Sequence, residues 1–162
     1  QLEEKQMMKT IILGLILLTL LTLSACQAAE TPPAATVTEG SESAADADVT
    51  HVRAVQADDG TWTFHVTVEH PDTGWEDYAD GWDVVTPDGT VLKPNPDDPF
   101  TRLLVHPHEN EQPFTRSQGD IEIPNGVTEV RVRAHDIVDG FGGEEIVVDL
   151  SKDSGPGFEV ER

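Results

Sequence analysis

The chain has 162 residues, with 31 Asp and Glu against 10 Lys and Arg, a formal net charge of −21 at neutral pH. A field of that sign repels nucleic acid and anionic lipid, and it attracts cations or basic partners. Cys26 is the single cysteine, so no internal disulfide can form and the fold must be held by its core.

The first element in chain order is an export signal over residues 1–25. Met8-Lys9-Thr10 gives a positive start, and Ile11 to Leu23 an apolar middle. That middle is shorter than the ~20 helical residues a membrane span requires. Ser24 and Ala25 are small enough for a peptidase groove. Leu23-Ser24-Ala25-Cys26 resembles the lipobox of bacterial lipoprotein precursors. The resemblance implies cleavage before Cys26, a diacylglycerol thioether on its sulfur, and a membrane anchor in the cell envelope. Gln27 resembles the sorting pattern of Gram-negative relatives, which implies the outer membrane if the envelope is of that type.

Residues 26–48 comprise the lipidated cysteine and an acidic linker of Ala, Thr, Pro, Glu and Ser. Such a composition buries too little apolar surface to offset ordering entropy, so it reads as a flexible tether.

From Val49 the pattern changes to period two. Val49 to Ala57 is a first strand, and Asp58-Asp59-Gly60 a turn. Trp62, Phe64, Val66 and Val68 then alternate with polar residues, as a half-buried strand requires. After a loop at 71–80, strands are expected at Gly81–Thr86, Thr90–Lys93 and Thr101–His106, with Pro87-Asp88-Gly89 as a turn. A loop at 107–117 precedes strands at Asp120–Ile123 and Thr128–His135, joined by Pro124-Asn125-Gly126. A last loop at 136–143 leads to a strand at Glu145–Leu150, and 151–162 reads as a loosely ordered tail.

Seven or eight short strands with frequent turns over 49–150 predict an all-β, antiparallel two-sheet sandwich. Their order resembles immunoglobulin-like or fibronectin type III domains, with IEIPNGVTEVRVRAHD similar to the E–turn–F region. In that topology the loops 71–80, 107–117 and 136–143 meet at one end. His70, Trp75, Tyr78, Glu109, Glu111, Phe114 and Phe141 become a candidate binding end.

Imidazoles suit zinc or copper, and His106 and His108 stand two apart on the same side of an extended chain. His106, His108 and His135, with Asp136 as a nearby carboxylate, are therefore a candidate metal set. Ordinary hydrogen-bonded loop histidines are the competing reading. Asp72, Glu76, Asp77 and Asp80 could hold calcium, but without a known calcium-loop spacing. Glu111 and Arg116 are placed to brace their loop as an ion pair. Ser117, His135 and Asp136 have the residue types of a nucleophile set, but no GxSxG, P-loop or HExxH motif accompanies them.

The expectation is a non-enzymatic envelope lipoprotein. It would be joined to the membrane through the lipid on Cys26 and would bind an envelope protein or a cation. Transition-metal delivery and a carbohydrate-binding accessory module are the alternatives, and no cofactor is required unless the histidines take a metal.

Overall fold

The computed structural model describes residues 46–162. The expected signal peptide 1–25, Cys26 and the expected linker through residue 45 lie outside the described residues. The described chain is all-β, without a helix, and forms two packed sheets.

The first sheet is built on β1 (Asp48–Gln56), β2 (Trp62–Glu69) and β6 (Phe114–Ile121), and the second on β3 (Ala79–Val85) and β7 (Glu129–Asp136). Alternation decides which side faces the core. Trp62, Phe64, Val66 and Val68 point in from β2, and Val130, Val132 and Ala134 from β7. Trp82 and Val84 of β3 complete the layer and are fully buried. Burying a large apolar side chain contributes roughly 1.5–3 kcal/mol relative to leaving it in water, and this layer replaces any need for a disulfide.

The second sheet has two interrupted edges. β4 (Val91–Leu92) and β5 (Arg102–Leu103) pair in turn with one edge of β3. β8 (Gly140–Phe141) and β9 (Ile146–Asp149) pair in turn with one edge of β7. The expected strand Thr101–His106 is thus cut to two residues. Of its apolar positions only Leu104 is buried, while Leu103 and Val105 are exposed.

The segment between β4 and β5 straps the outer face of β3. Thr101 N–H donates to Asp83 Oδ1 (3.0 Å) and Thr101 Oγ1 to Leu92 O (2.6 Å). The Phe100 ring lies over Gly81, where a Cβ would fall 2.2 Å from it.

Two other expectations change. Phe114 to Ser117, read as loop, belong to β6, which pairs with β2 through a bulge between Trp62 and Phe64. Asp120 takes the left-handed φ of 57° there, a conformation short Asp side chains tolerate. The strand was hidden because it lies at a sheet edge and buries only Phe114 and Ile121.

Residues 151–162 are not a loose tail. β10 (Ser154–Gly155) and β11 (Phe158–Glu161) form a hairpin, and β11 pairs in parallel with β1 from Val52↔Phe158 to Val55↔Glu161. Phe158 and Val160 join the core, and their apolar burial holds the segment down. β10 and β11, with the divided edges of β3 and β7, bring the described strands to eleven.

Candidate functional site

One end of the sandwich gathers the segments 70–78, 104–113 and 137–139 together with the start of β1. Main-chain bonds tie them: Ile137 N–H to Tyr78 O (3.2 Å), Leu104 N–H to Asp80 O (2.8 Å) and Val49 N–H to Glu144 O (2.9 Å). The start of β1 is fixed further by Asp48 Oδ1, which accepts from Glu144 N–H (2.6 Å).

At this end each inward-facing row finishes on a polar residue. Two residues beyond Val68, the same alternation brings His70, which is 1% exposed. Two residues beyond Ala134 it brings Asp136, also 1% exposed. The two rows come from opposite sheets, so the apolar core is capped by an imidazole and a carboxylate. His70 Nε2 lies 3.5 Å from Asp136 Oδ2.

Asp72 is the hub of the cap. Its side chain is fully buried. Oδ1 accepts from His70 Nδ1–H (2.6 Å) and Ala79 N–H (3.2 Å), and Oδ2 from His108 N–H (2.5 Å). A carboxylate cannot donate, so the 2.6 Å contact places a proton on Nδ1 of His70. The second ring nitrogen, Nε2, faces Asp46 Oδ1 (3.0 Å), Asp136 Oδ2 (3.5 Å) and Asp77 Oδ1 (3.7 Å). Burial works against a charged ring, but the hydrogen bond the ring donates to Asp72 and the charges of Asp46, Asp72 and Asp136 outweigh it. The His70 imidazole is therefore held above its ordinary range. A shallow cleft of 290 Å³ opens beside it, lined by Asp46, Asp48, Glu69, His70, Pro71 and Gln112.

The histidines proposed as a metal set do not converge as three donors: His106 and His108 lie together, and His135 is held by Asp80. His108 is buried and stacked on Phe114 (3.7 Å between centroids, 13° between planes), and neither of its ring nitrogens has a hydrogen-bond partner. Burial, then the charges of Arg116 and His106, push it below the usual imidazole range, so it packs as a neutral ring. His106 is exposed, with its ring 4.5 Å from that of His108. His135 Nδ1 is bonded to Asp80 Oδ1 (2.6 Å), and its ring lies against Phe100 and Phe141.

Among the described residues, Asp46, His70 and Asp136 are the group whose donor atoms all lie within 4.8 Å of one another. His106, His108 and His135 are not such a group. The calcium set is also divided, with Asp72 beneath His70 and His108 and Asp80 on His135. Ser117 Oγ is bonded to His65 Nδ1 (2.7 Å), so Ser117, His135 and Asp136 are not arranged as a triad.

The loop aromatics have different fates. Tyr78 and Phe114 are buried. Phe141 is half-buried beneath the Arg133 guanidinium at 3.8 Å. Trp75 is 66% exposed and meets Tyr78 edge-on at 6.0 Å. Glu109 is exposed. Glu111 pairs with Arg116 at 2.9 Å, the expected brace. Sequence reasoning missed Asp46 and the role of His70 as a cap. The usable signal was the polar residue at the next inward position of β2, where apolar alternation called for another core side chain.

No protein-family model matches the chain, and no solved structure matches it. The chain is similar to a protein of Halomicrobium mukohataei named "Putative lipoprotein". The two are 41% identical over 133 residues, covering 74% of this chain. The match spans 62% of the relative's length.

Proposed function

We propose that the chain is a lipid-anchored envelope protein, a non-enzymatic binding module that offers its loop end to another envelope protein. The anchor reading is supported by Leu23-Ser24-Ala25-Cys26 together with the similarity to a protein named as a lipoprotein. The immunoglobulin-like reading is supported by strand order, with β1, β2 and β6 in one sheet and β3 and β7 in the other.

One observation carries the choice of binding surface. Of the large apolar side chains exposed among the described residues, Trp75, Leu103, Val105, Ile137 and Val138 all stand on the three loop segments or beside them. Only Val147 is elsewhere. Apolar side chains gathered on loops at one end of a rigid sandwich mark a recognition surface.

The test is site-specific photocrosslinking in intact cells. Probes at Trp75 and Val138 should give protein adducts in the membrane fraction, and a probe at Val147 none. The variant Cys26→Ser should abolish acyl labelling and release the chain from membranes. Equal labelling at all three positions would reject the surface. Unchanged fractionation of Cys26→Ser would reject the anchor.

A further inference from the structure

At the end cap four carboxylates gather round one imidazole. Asp72 and Asp136 have side chains 0% and 2% exposed, and Asp46 and Asp77 stand over the same imidazole. Among the described residues, the ion pairs of these four carboxylates run to histidines alone, with no Lys or Arg. Asp72 is compensated by three donated hydrogen bonds and Asp136 Oδ1 by Val138 N–H, which leaves Asp136 Oδ2 facing the His70 ring, and a buried carboxylate oxygen requires such compensation.

We propose that Asp46, His70 and Asp136 form a binding site for one divalent transition-metal ion of the zinc class, with Asp77 as an outer fourth donor. Spacing is the first support. An ion held at about 2.0–2.2 Å by nitrogen and oxygen donors sets neighbouring donors roughly 3.0–3.6 Å apart in tetrahedral or octahedral geometry. From His70 Nε2 the distances are 3.0 Å to Asp46 and 3.5 Å to Asp136, with Asp77 slightly beyond at 3.7 Å.

Orientation is the second support. Asp72 accepts from Nδ1–H, which fixes the ring and directs Nε2 at the carboxylates. A carboxylate behind the far nitrogen of a metal-binding histidine plays that part in known centres. Asp72 is itself fixed by Ala79 N–H and His108 N–H. The donor set also limits the ion. One imidazole nitrogen favours zinc-class ions over calcium, which takes oxygen alone, and the set contains no sulfur for copper(I).

The site goes beyond the binding surface proposed above and depends on neither the anchor nor the exposed apolar residues. It gives Asp46 a task. Asp46 lies just ahead of β1, and its ion contact runs to His70 alone. The bound ion would join the root of the linker to the inward rows of both sheets.

The experiment uses the full chain in detergent, stripped with chelator and titrated with zinc chloride in a calorimeter. About 1 M salt shortens the screening length to ~3 Å and suppresses diffuse cation binding to the acidic surface. One zinc per chain is expected. Asp46→Ala is the first variant, because its carboxylate is half exposed and its loss leaves the core intact. It should weaken binding on the order of 10-fold or more, the scale seen even for outer-shell changes. Glu69→Gln, which alters the same cleft without touching a donor, should bind as the parent does. In the unmodified chain, zinc should shift the His70 Nε2 resonance, a readout that does not rely on any variant folding. No zinc heat, an unmoved His70 resonance, equal loss in both variants or calcium binding as tight as zinc would each overturn the proposal.

Discussion

The two ends of the sandwich satisfy their polar groups over different distances along the chain. At the turn end the partners are close neighbours in sequence. Asp59 Oδ1 accepts from Thr61 N–H and Oγ1–H, Asp88 from Thr86 and Thr90, and Asp149 from Ser151. Gly60, Gly89 and Gly126 supply the positive φ near 89° that such turns require. At the loop end local pairs, His70 with Asp72 and Asp136 with Val138, are joined by partners far apart in sequence: His70 with Gln112, Asp72 with His108, Asp80 with His135. The bonds of the turn end are contained within single turns. The loop end exists only once both sheets are in place.

Breaking the distant contacts should cost most. Asp72→Ala removes the acceptor of three buried donors, and loss of one partner in a buried charged pair costs about 3–5 kcal/mol. Urea denaturation should show that fall, whereas Asp59→Ala should move the midpoint far less. Similar shifts for the two would refute the contrast between the ends.

A smaller effect is expected from glycine. Gly81→Ala drives a Cβ into the Phe100 ring, an overpacking worth about 1–3 kcal/mol. It should also perturb the His135 ring signal, since His135 packs on Phe100. Gly126→Ala meets no neighbour within 4 Å and bears only the left-handed φ of 88°, worth roughly 1–2 kcal/mol. Its chemical-shift changes should stay within the turn. If Gly81→Ala leaves His135 unmoved, the strap over β3 is not what holds that ring.

The finest distinction is in titration. Asp149 is lowered to about 2, first by the Ser151 hydroxyl, then by Lys152 and the Ser151 amide. A depressed carboxylate contributes stability above its unfolded pKa and loses it as pH falls through its folded value. The turn should therefore keep its bonds until about pH 2. Carbon-detected NMR should find that low midpoint, and Ser151→Ala should bring it back toward the ordinary carboxylate range. A midpoint unaffected by that change would remove the hydroxyl as its cause.

The same locality explains what could be read in the sequence. Asp58-Asp59-Gly60, Pro87-Asp88-Gly89 and Pro124-Asn125-Gly126 announce turns because each carries its own donors and its own glycine. β2 and β7 are legible because one face alternates without interruption. β6 is not, since an edge strand with a bulge buries only Phe114 and Ile121. β11 hides behind a glycine-rich approach, and its parallel partner lies about 100 residues away, a separation no local pattern encodes.

At the loop end, residue types were visible and partners were not. His106, His108 and His135 stood out because histidine suggests metal. Yet His108 was taken by Phe114, and His135 by Asp80 and its aromatic neighbours. Asp46 stood in a stretch read as linker and became notable only when the structure set it 3.0 Å from His70.

The parallel pairing of β11 with β1 also has a mechanical meaning. β1 starts at the loop end and runs to the turn end, with β2 on one side and β11 on the other. A pull applied ahead of Asp48 acts along the length of β1, while the hydrogen bonds to antiparallel β2 run across that line and those to parallel β11 run slanted to it. Sliding β1 along its own axis would have to break bonds in both ladders. The hairpin of β10 and β11 thus adds a second row of bonds gripping β1, so the strand that begins beside Asp46 is held along both of its edges.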